Sequence, residues 1–420
     1  MIDAGAAIVD ITPPPGMVMA GFAARSDTAR GFHDRLTARA VVIGDTAVVV
    51  ADVIGIDAAM SLRIRERCAL SAERVVVSAL HTHGGPASMA GRLGGAADPA
   101  YLERLEDACV AAIDKAACER RPAMLSAGYG SDPDIARNRR HSGGIVDRSL
   151  PVLHLTDMQG ATIAVLVSYA CHPVVLGADN LLWTADYPHF TREALERAFP
   201  GSVAVFMTGC VGDANTGHSA HASISLAANP ERTFAAAERI GEKIAAAALA
   251  APARQIAGGV SVHNGAVTLG FERRETEPLP VLASRWEGEA VTADPARRSL
   301  LLYWADWARR VGPLAADGLT TRVTVFEWGG VLLVALPGEI FAETALAIRA
   351  AAGDAPVFTI AFADDNPGYI PPASEYAFGG YEVDEAHRYY GMPMSFAAGS
   401  AETLCEKATT LIREGSATNS

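Results

Sequence analysis

Val75-Val76-Val77-Ser78-Ala79-Leu80-His81-Thr82-His83-Gly84-Gly85-Pro86 is the stretch around which this chain is organised. Its apolar, β-branched run predicts a buried strand, and the Gly-Gly-Pro break ends that strand. Side chains two positions apart on an extended backbone point to the same side, so His81 and His83 face one common space. In open α/β sheets, ligands bind at this carboxyl end of the strands. The alternative is a pair of surface histidines at a turn, and this stretch alone leaves the two interpretations level.

Several other buried-looking strands also end in an ionisable side chain. These strand ends carry Asp52, His81 and His83, His172, Asp213, Glu339 and Asp364. Two histidines and a carboxylate form a common catalytic zinc set that leaves room for water. Polar residues that only mark where strands reach solvent would explain Asp52 and Asp364. The same explanation accounts less well for two histidines that are followed closely by a proline. The pattern therefore favours a metal site at a sheet edge.

The composition limits the class of protein. The chain has 420 residues, half of them apolar, which is enough for two lobes or one elaborated domain. The net charge is −13 without a basic run, so nucleic acid and acidic membranes are poor partners. The sequence shows no signal peptide, no membrane-spanning run and six scattered cysteines, a pattern typical of a cytoplasmic protein with reduced thiols. We expect a small-molecule substrate, and the oligomeric state stays open.

Local patterns predict the main elements. Thr37–Ile43 and Ala47–Ala51 form a predicted hairpin, and Asp98-Pro99 begins a helix that runs to about Cys118. The segment Phe271–Arg322 reads as an insertion that covers something, and it contains Trp286, Trp304 and Trp307. Its tryptophans either bury a helix against the body of the fold or roof a pocket.

A set of short motifs, in order along the chain, resembles the catalytic domain of neutral ceramidases and their bacterial relatives. The motifs are Asp10-Ile11-Thr12-Pro13, Gly31–Ala40, His81–Pro86, Asn138-Arg139, Cys171-His172-Pro173, Gly212-Asp213, Leu336–Glu339, Gly368-Tyr369, Glu375-Tyr376 and Tyr381-Glu382. They extend from about residue 5 to residue 392. The resemblance implies an α/β fold of mixed β-sheets flanked by helices, built as one catalytic domain over residues 1–420 with a cap at 271–322.

The same resemblance implies roles for particular residues. One zinc ion would be held by His81, His172, Glu339 and Tyr376. His83 would transfer a proton or orient the substrate, and Arg139 would bind an anionic or carbonyl part of it. Tyr390 would donate to the oxyanion, although the spacing from Tyr381 to Tyr390 is longer than in the family.

Two departures from the family pattern matter for function. Where ceramidases carry Gly-Asp-x-Ser, this chain has Gly212-Asp213-Ala214-Asn215, so attack by a serine at that position is excluded. Water on the metal remains available as the nucleophile, and Asp213 and Asn215 become candidate substrate-binding residues. We expect neither a secretion signal nor the extra C-terminal domain of the ceramidases, and both expectations argue against an extracellular sphingolipid as substrate.

Each assignment has a simpler alternative. Glu339 precedes a predicted helix and can complement its dipole, Tyr376 can serve packing, and Arg139 can be a solvated loop charge. His218 and His221 can bind a second metal or the substrate, but an exposed loop is the more typical role for such a pair.

Three functions follow. The first is a zinc-dependent hydrolase that cleaves an amide or ester bond of a small polar substrate, including carboxylate-bearing ones. The second is a metal-dependent lyase or isomerase of a small metabolite. The third is a non-catalytic, metal-dependent ligand-binding protein.

Overall fold

A computed structural model describes residues 2–23, 25, 27–93, 96–218, 229–311 and 316–418. Its strands are β1 Ile2–Asp10, β2 Gly31–Phe32, β3 Thr37–Ile43, β4 Thr46–Ala51, β5 Val75–Ala79, β6 Arg121–Gly130, β7 Arg137–Asn138, β8 Leu150–Asp157, β9 Thr162–Tyr169, β10 Leu182–Trp183, β11 Val203–Thr208, β12 Ala214–Asn215, β13 Arg254–Ile256, β14 Val260–Glu272, β15 Gly318–Trp328, β16 Val331–Ala335, β17 Glu339–Ile340, β18 Val357–Ile360, β19 Tyr369–Ile370 and β20 Ser395–Phe396. Its α-helices are α1 Ala58–Arg67, α2 Pro99–Cys118, α3 Tyr187–Ala198, α4 Phe234–Leu249, α5 Leu279–Ala290, α6 Pro295–Val311, α7 Ala342–Ala352 and α8 Ser400–Thr418.

Two mixed sheets dominate the fold. The larger has the strand order β11-β9-β8-β6-β1-β3-β4-β5, with β13 paired to β6, and the smaller has the order β18-β16-β15-β14-β20. Both sheets combine antiparallel pairs with parallel ones, such as β4 with β5 and β16 with β18. The predicted α/β class with mixed sheets flanked by helices is confirmed, as are the predicted hairpin and the helix that ends at Cys118.

The alternating direction of side chains along the strands explains how the layers pack. On β4 and β5, Val49 and Val77 face a cluster that includes α1 and α2. Their neighbours Val48 and Val76 face the opposite cluster, which contains Trp328 of the smaller sheet. Because side chains alternate at each step, an all-apolar strand is stable only when both of its faces are covered. The β-branched run that ends at His81 is therefore a central, doubly covered strand.

The segment that follows β18 joins the two sheets next to β5. The Ala79 amide donates to the Phe362 carbonyl at 3.2 Å, and the Asp364 amide donates to the Val77 carbonyl at 2.7 Å. At the end of β11, the Thr208 hydroxyl donates to the Leu80 carbonyl at 2.6 Å. These bonds bring the ends of three strands to one place.

The helical pair α5 and α6 lies between β14 and β15, which pair with each other up to Gly270 and Gly318. The predicted boundaries at 271 and 322 thus fall inside these two strands, and the described helices begin at Leu279. Trp286, Trp304 and Trp307 are buried in the cluster between the two helices. The Trp307 indole also donates to the Met392 carbonyl at 2.8 Å. Packing of the helices accounts for the tryptophans, and a cap role for this segment remains a proposal.

All six cysteines are free thiols. In the described part of the chain, no helix combines the length and the apolar character that crossing a membrane requires.

Two of the strand-end carboxylates are structural. Asp52 is fully buried and accepts from the Arg192 guanidinium at 2.6 and 3.0 Å and from the Thr37 amide at 2.8 Å. Asp364 is buried and accepts from Ser61 and Arg322. Our expectation that these two residues mark solvent-facing strand ends is wrong, because each carboxylate has paired donors inside the fold.

The Asp52–Arg192 pair gives a test of this packing. We expect Asp52→Ala to lower the free energy of unfolding by about 3–5 kcal/mol, because it leaves the buried guanidinium of Arg192 without a counter-charge. Urea denaturation of the variant measures this change. Asp107→Ala is the control, because its pair with Arg67 is largely exposed, and we expect a change below about 1 kcal/mol. Equal effects of the two substitutions would contradict the argument.

Candidate metal centre

Three of the predicted ligands converge in the structure. His81 follows β5, His172 follows β9, and Glu339 begins β17; all three side chains are buried, and one ligand atom from each lies within 4.8 Å of the others. The His172 Nε2 atom is 2.9 Å from Glu339 Oε2, and the His81 Nε2 atom is 3.5 Å from Glu339 Oε1. Among the residues that the structure describes, this is the one group of three such side chains close enough to share an ion.

Backbone carbonyls fix the orientation of both imidazoles. His81 Nδ1 is 2.6 Å from the Ile54 carbonyl, and His172 Nδ1 is 3.0 Å from the Ala214 carbonyl. Since a carbonyl only accepts, each Nδ1 carries the proton, and each Nε2 presents its lone pair to Glu339. Such a bond from the second ring nitrogen is the usual way in which proteins orient a metal-ligating histidine.

The three side chains offer more hydrogen-bond acceptors than donors to the space between them. His81 Nε2 and Glu339 Oε1 are buried without a hydrogen-bond partner. Buried polar atoms are nearly always satisfied in native proteins, and lone pairs that face a carboxylate repel it. A divalent cation satisfies all of these acceptors at once, so the residues fit a metal of the zinc type.

Burial sets the protonation states that a metal needs. It lowers the pKa of His81 to about 4 and that of His172 to about 3, so both imidazoles are neutral ligands at pH 7. Burial also raises the pKa of Glu339, while the charge of His81 and a hydrogen bond from Tyr369 oppose that rise.

The backbone at the centre is strained. His81 has a φ of 66°, and Phe362, whose ring stacks on the His81 ring at 4.0 Å, has a φ of 57°. Bulky residues rarely occupy this region, and such strain clusters at functional sites. The hydrogen bonds that join β5 to the 361–364 segment hold both residues in place.

His83 lies next to the three-residue group. Its ring centroid is 5.1 Å from that of His81 and 6.3 Å from that of His172. Both of its ring nitrogens are shielded from solvent and have no partner. Burial lowers the pKa of His83 well below its ordinary value, so the ring is a free base at pH 7. The structure therefore places an available base beside the predicted ligands, and its catalytic role remains a prediction.

The fourth predicted ligand needs correction. The Tyr376 hydroxyl donates to the Phe396 carbonyl at 2.7 Å, and the charges that act on it are those of Glu272, Arg274 and Glu402 rather than those of the metal group. Instead, Tyr369 is the register partner of Glu339 in the parallel pair β17–β19. Tyr369, not Tyr376, is the tyrosine at this centre.

Two further tyrosines pack edge-on against Tyr369. The Tyr390 ring is 6.0 Å from it and the Tyr381 ring is 5.7 Å from it, measured between centroids. Tyr390 is buried and lies against the backbone of Gly368. The oxyanion role predicted for Tyr390 remains a prediction, and Tyr381 is a second candidate that our sequence reasoning missed.

Arg139 is bound within the protein. Its Nε donates to Glu382 at 2.9 Å, and its Nη2 donates to the Tyr369 hydroxyl at 2.9 Å. Because its side chain is only 7% exposed, Arg139 acts on the centre through Tyr369. Its charge is thus paired inside the protein, and binding of an anionic or carbonyl part of the substrate by Arg139 remains a prediction.

The two residues at the position of the family serine also have internal partners. Asp213 accepts from the Ala342 amide and from Asn138, both at 2.9 Å, and burial raises its pKa to about 6. Asn215 donates to the His218 carbonyl at 2.6 Å and accepts from two amides of the same turn. Both predicted substrate-binding residues therefore hold loops. His221 lies outside the described residues.

Sequence reasoning missed Tyr369, Tyr381 and Glu382 as members of this centre. All three belong to motifs that carried the resemblance, but only pairing between the two-residue strands β17 and β19 brings Tyr369 to Glu339. Such short strands have no periodicity, so the pattern offered no signal.

Residues 3–223, more than half of the chain, match the family model "Neutral/alkaline non-lysosomal ceramidase, N-terminal". The protein therefore belongs to the neutral/alkaline non-lysosomal ceramidase family. Among solved structures, it resembles a ceramidase complexed with C2, with a TM-score of 0.75, 18% identity, and coverage of 99% of this chain and 75% of that chain. It also resembles the neutral ceramidase from Pseudomonas aeruginosa, with a TM-score of 0.75, 20% identity, and coverage of 98% and 75%. At these identities the two structures establish a shared fold, as the motifs predicted.

Glu339 provides the first test of the metal centre. We expect Glu339→Gln to weaken zinc binding by about 100-fold or more, because it removes the only anionic donor of the buried group. Titration with zinc against a competing chelator measures the affinity. Glu343→Gln, an exposed glutamate four residues further on, is the control and should bind zinc like the wild type. Unchanged affinity in Glu339→Gln would refute a metal site at these residues.

The two tyrosines give a second test. We expect Tyr369→Phe to weaken zinc binding about 10- to 100-fold, because its hydroxyl lies beside Glu339 and Arg139. Tyr376→Phe should leave zinc affinity within about threefold and lower the free energy of unfolding by about 1 kcal/mol, the contribution of one hydrogen bond. The reverse pattern would restore Tyr376 as the ligand.

Proposed function

We propose that this protein is a zinc-dependent hydrolase that cleaves the amide C–N bond of a small polar N-acyl compound. The observation that supports it most directly is that two acceptor atoms beside His172, His81 Nε2 and Glu339 Oε1, are buried without a hydrogen-bond partner. Membership of the ceramidase family, whose name denotes cleavage of an amide, favours this bond over an ester.

His81, His172 and Glu339 would hold the metal, and we assign the position of a fourth donor to Tyr369. Two neutral imidazoles and a carboxylate are donors that zinc prefers. A bound zinc ion supplies Lewis acidity, which polarises an amide carbonyl and lowers the pKa of water to roughly 7. The Arg139 N–H that donates to Tyr369 stabilises negative charge on that oxygen.

His83 would move the protons. Its unpartnered ring nitrogens can accept a proton from the attacking water and return it to the departing amine. The neutral form that burial imposes on this ring is the form that a general base requires. Tyr390 or Tyr381, which both contact Tyr369, would donate to the oxygen of the tetrahedral intermediate.

For the substrate we propose a short, polar N-acyl compound rather than a long-chain ceramide. The centre is lined by ionisable and phenolic side chains, and the tryptophans of α5 and α6 are occupied in packing. A cytoplasmic location remains our proposal, in keeping with six free thiols.

Hydrolysis is tested directly with zinc-loaded protein and a series of N-acyl compounds from two to sixteen carbons. We expect acid and amine products, incorporation of solvent oxygen-18 into the acid, and the highest kcat/KM for short chains. His83→Gln should retain zinc and reduce kcat by about 10²- to 10⁴-fold, because it removes the general base. His154→Gln, a histidine that packs on Phe199, is the control.

Products without solvent oxygen would favour the lyase alternative over hydrolysis. Rates that rise steadily towards sixteen carbons would overturn the proposal of a small polar substrate.

A further inference from the structure

Two arginines lie over an aromatic ring next to His83. The guanidinium carbon of Arg25 is 4.8 Å from the Phe22 ring centroid, and that of Arg232 is 5.5 Å from it. The Phe22 ring is in turn 4.8 Å from the His83 ring. Arg25 also donates to the His83 carbonyl at 2.9 Å. This side of the centre therefore presents two cations, with the proposed general base between them and the metal ligands.

Neither cation has a carboxylate within 4 Å among the described residues, in contrast to the other arginines near the centre. Arg139 and Arg140 pair with Glu382, and Arg92 pairs with Asp365. Arg25 donates only to backbone carbonyls, and burial without an ion pair lowers its pKa to about 9. Asp179 acts on both cations and the buried Asp186 acts on Arg232, in each case at longer range than an ion pair. Unpaired charge in a partly buried place is costly unless an anion binds there.

Arg232 is the cation with donors left over. Its Nε and Nη2 donate to the carbonyls of Val174, Val175 and Leu176, which fixes the turn just after His172. Its Nη1 group has no partner among the described residues, and the side chain is partly exposed. The guanidinium is therefore held rigidly by three bonds and still has two N–H groups available. Such a pre-oriented guanidinium is well suited to a carboxylate.

We propose that Arg232, supported by the charge of Arg25, forms a carboxylate-binding subsite and that the substrate is an N-acyl amino acid. This inference rests on the proposed hydrolase function. His83 would protonate the departing amine, so the amine half of the substrate lies on the side of His83. Phe22 and the two arginines lie on that same side. In an N-acyl amino acid the carboxylate is one carbon from the scissile nitrogen, which places the negative charge on the side of these cations.

The subsite also bears on the substrate-binding role predicted for Arg139. Arg139 was predicted to bind an anionic or carbonyl part of the substrate, but its charge is paired with Glu382. Arg232 supplies the free cation in its place. On a chain with a net charge of −13, a local pair of positive charges can select an anionic substrate.

The test compares two substrates of the same shape, N-acetylalanine and its neutral carboxamide, by acetate release from zinc-loaded protein. We expect wild-type kcat/KM to be at least about 30-fold higher for the acid, mainly through KM. Arg232→Gln, which keeps N–H donors for a carbonyl, should bring this ratio close to one with unchanged zinc content. Arg239→Gln, an exposed arginine on α4, should keep the wild-type ratio. An equal loss for both substrates in Arg232→Gln, or no preference in the wild type, would overturn the subsite.

Binding separates failure of the subsite from failure of the hydrolase proposal. The acyl-chain series described above tests the hydrolase proposal. If neither of the two alanine compounds is cleaved, calorimetric titration of the zinc-loaded protein decides on the subsite alone. Tighter binding of the acid than of the carboxamide in the wild type, lost in Arg232→Gln, supports the subsite. Binding of the acid that is the same in the wild type and in Arg232→Gln refutes it.

Discussion

Lone pairs that face one another without a proton between them are the constraint on which this structure depends. Each imidazole gives its Nδ1 proton to a backbone carbonyl, so the Nε2 atoms of His81 and His172 and the carboxylate of Glu339 all present acceptors to one small space. Hydrogen bonds among the three side chains cannot satisfy the group while Glu339 is ionised, because every member is then an acceptor. The sheets, the strained φ of His81 and the carbonyls of Ile54 and Ala214 together hold an arrangement that a bound cation would stabilise.

The helical pair α5 and α6 is connected to this centre by a continuous series of contacts. The Arg388 guanidinium lies 5.0–5.7 Å from the ring centroids of Trp286, Trp304 and Trp307. Arg388 also pairs with Glu275, whose carboxylate is 2.9 Å from His387 Nε2.

On the other side of the His387 ring, Ser395 is 2.9 Å from Nδ1 and donates to the Val383 carbonyl at 2.7 Å. Val383 belongs to the single π-helical turn Tyr381–Glu385, a type of turn that is frequent at functional sites. Glu382 of that turn holds Arg139, and Arg139 holds the Tyr369 hydroxyl, so packing of the inserted helices bears on the geometry beside Glu339.

The sequence was sufficient for features that follow from local rules and insufficient for those that depend on long-range pairing. Alternation and β-branching predicted β3, β4 and β5, and the strand ends predicted a polar site at a sheet edge. The resemblance to ceramidases selected His81, His172 and Glu339 from the polar residues at those ends. The tyrosine was misassigned because Tyr369 and Tyr376 lie seven residues apart in the same motif region. Only the two-residue pairing of β17 with β19 selects the first of them. The carboxylates Asp52 and Asp364 were misread for a related reason, since their partners Arg192 and Arg322 come from distant segments.

Charge pairing divides the arginines around the centre into two groups with different consequences. Arg139 and Arg140 are neutralised by Glu375 and Glu382, so their contribution is to fix Tyr369 and the surrounding loops. Arg25 and Arg232 are bound by carbonyl dipoles, which orient a guanidinium but supply no counter-charge, and Asp179 and Asp186 act on them only at longer range. An arginine paired with a carboxylate positions its neighbours and attracts an anion less strongly, whereas an unpaired one raises the local potential around it. The motif Asn138-Arg139 therefore contains an internally paired cation, whereas the two arginines of the proposed subsite lie outside the motifs by which the family is recognised.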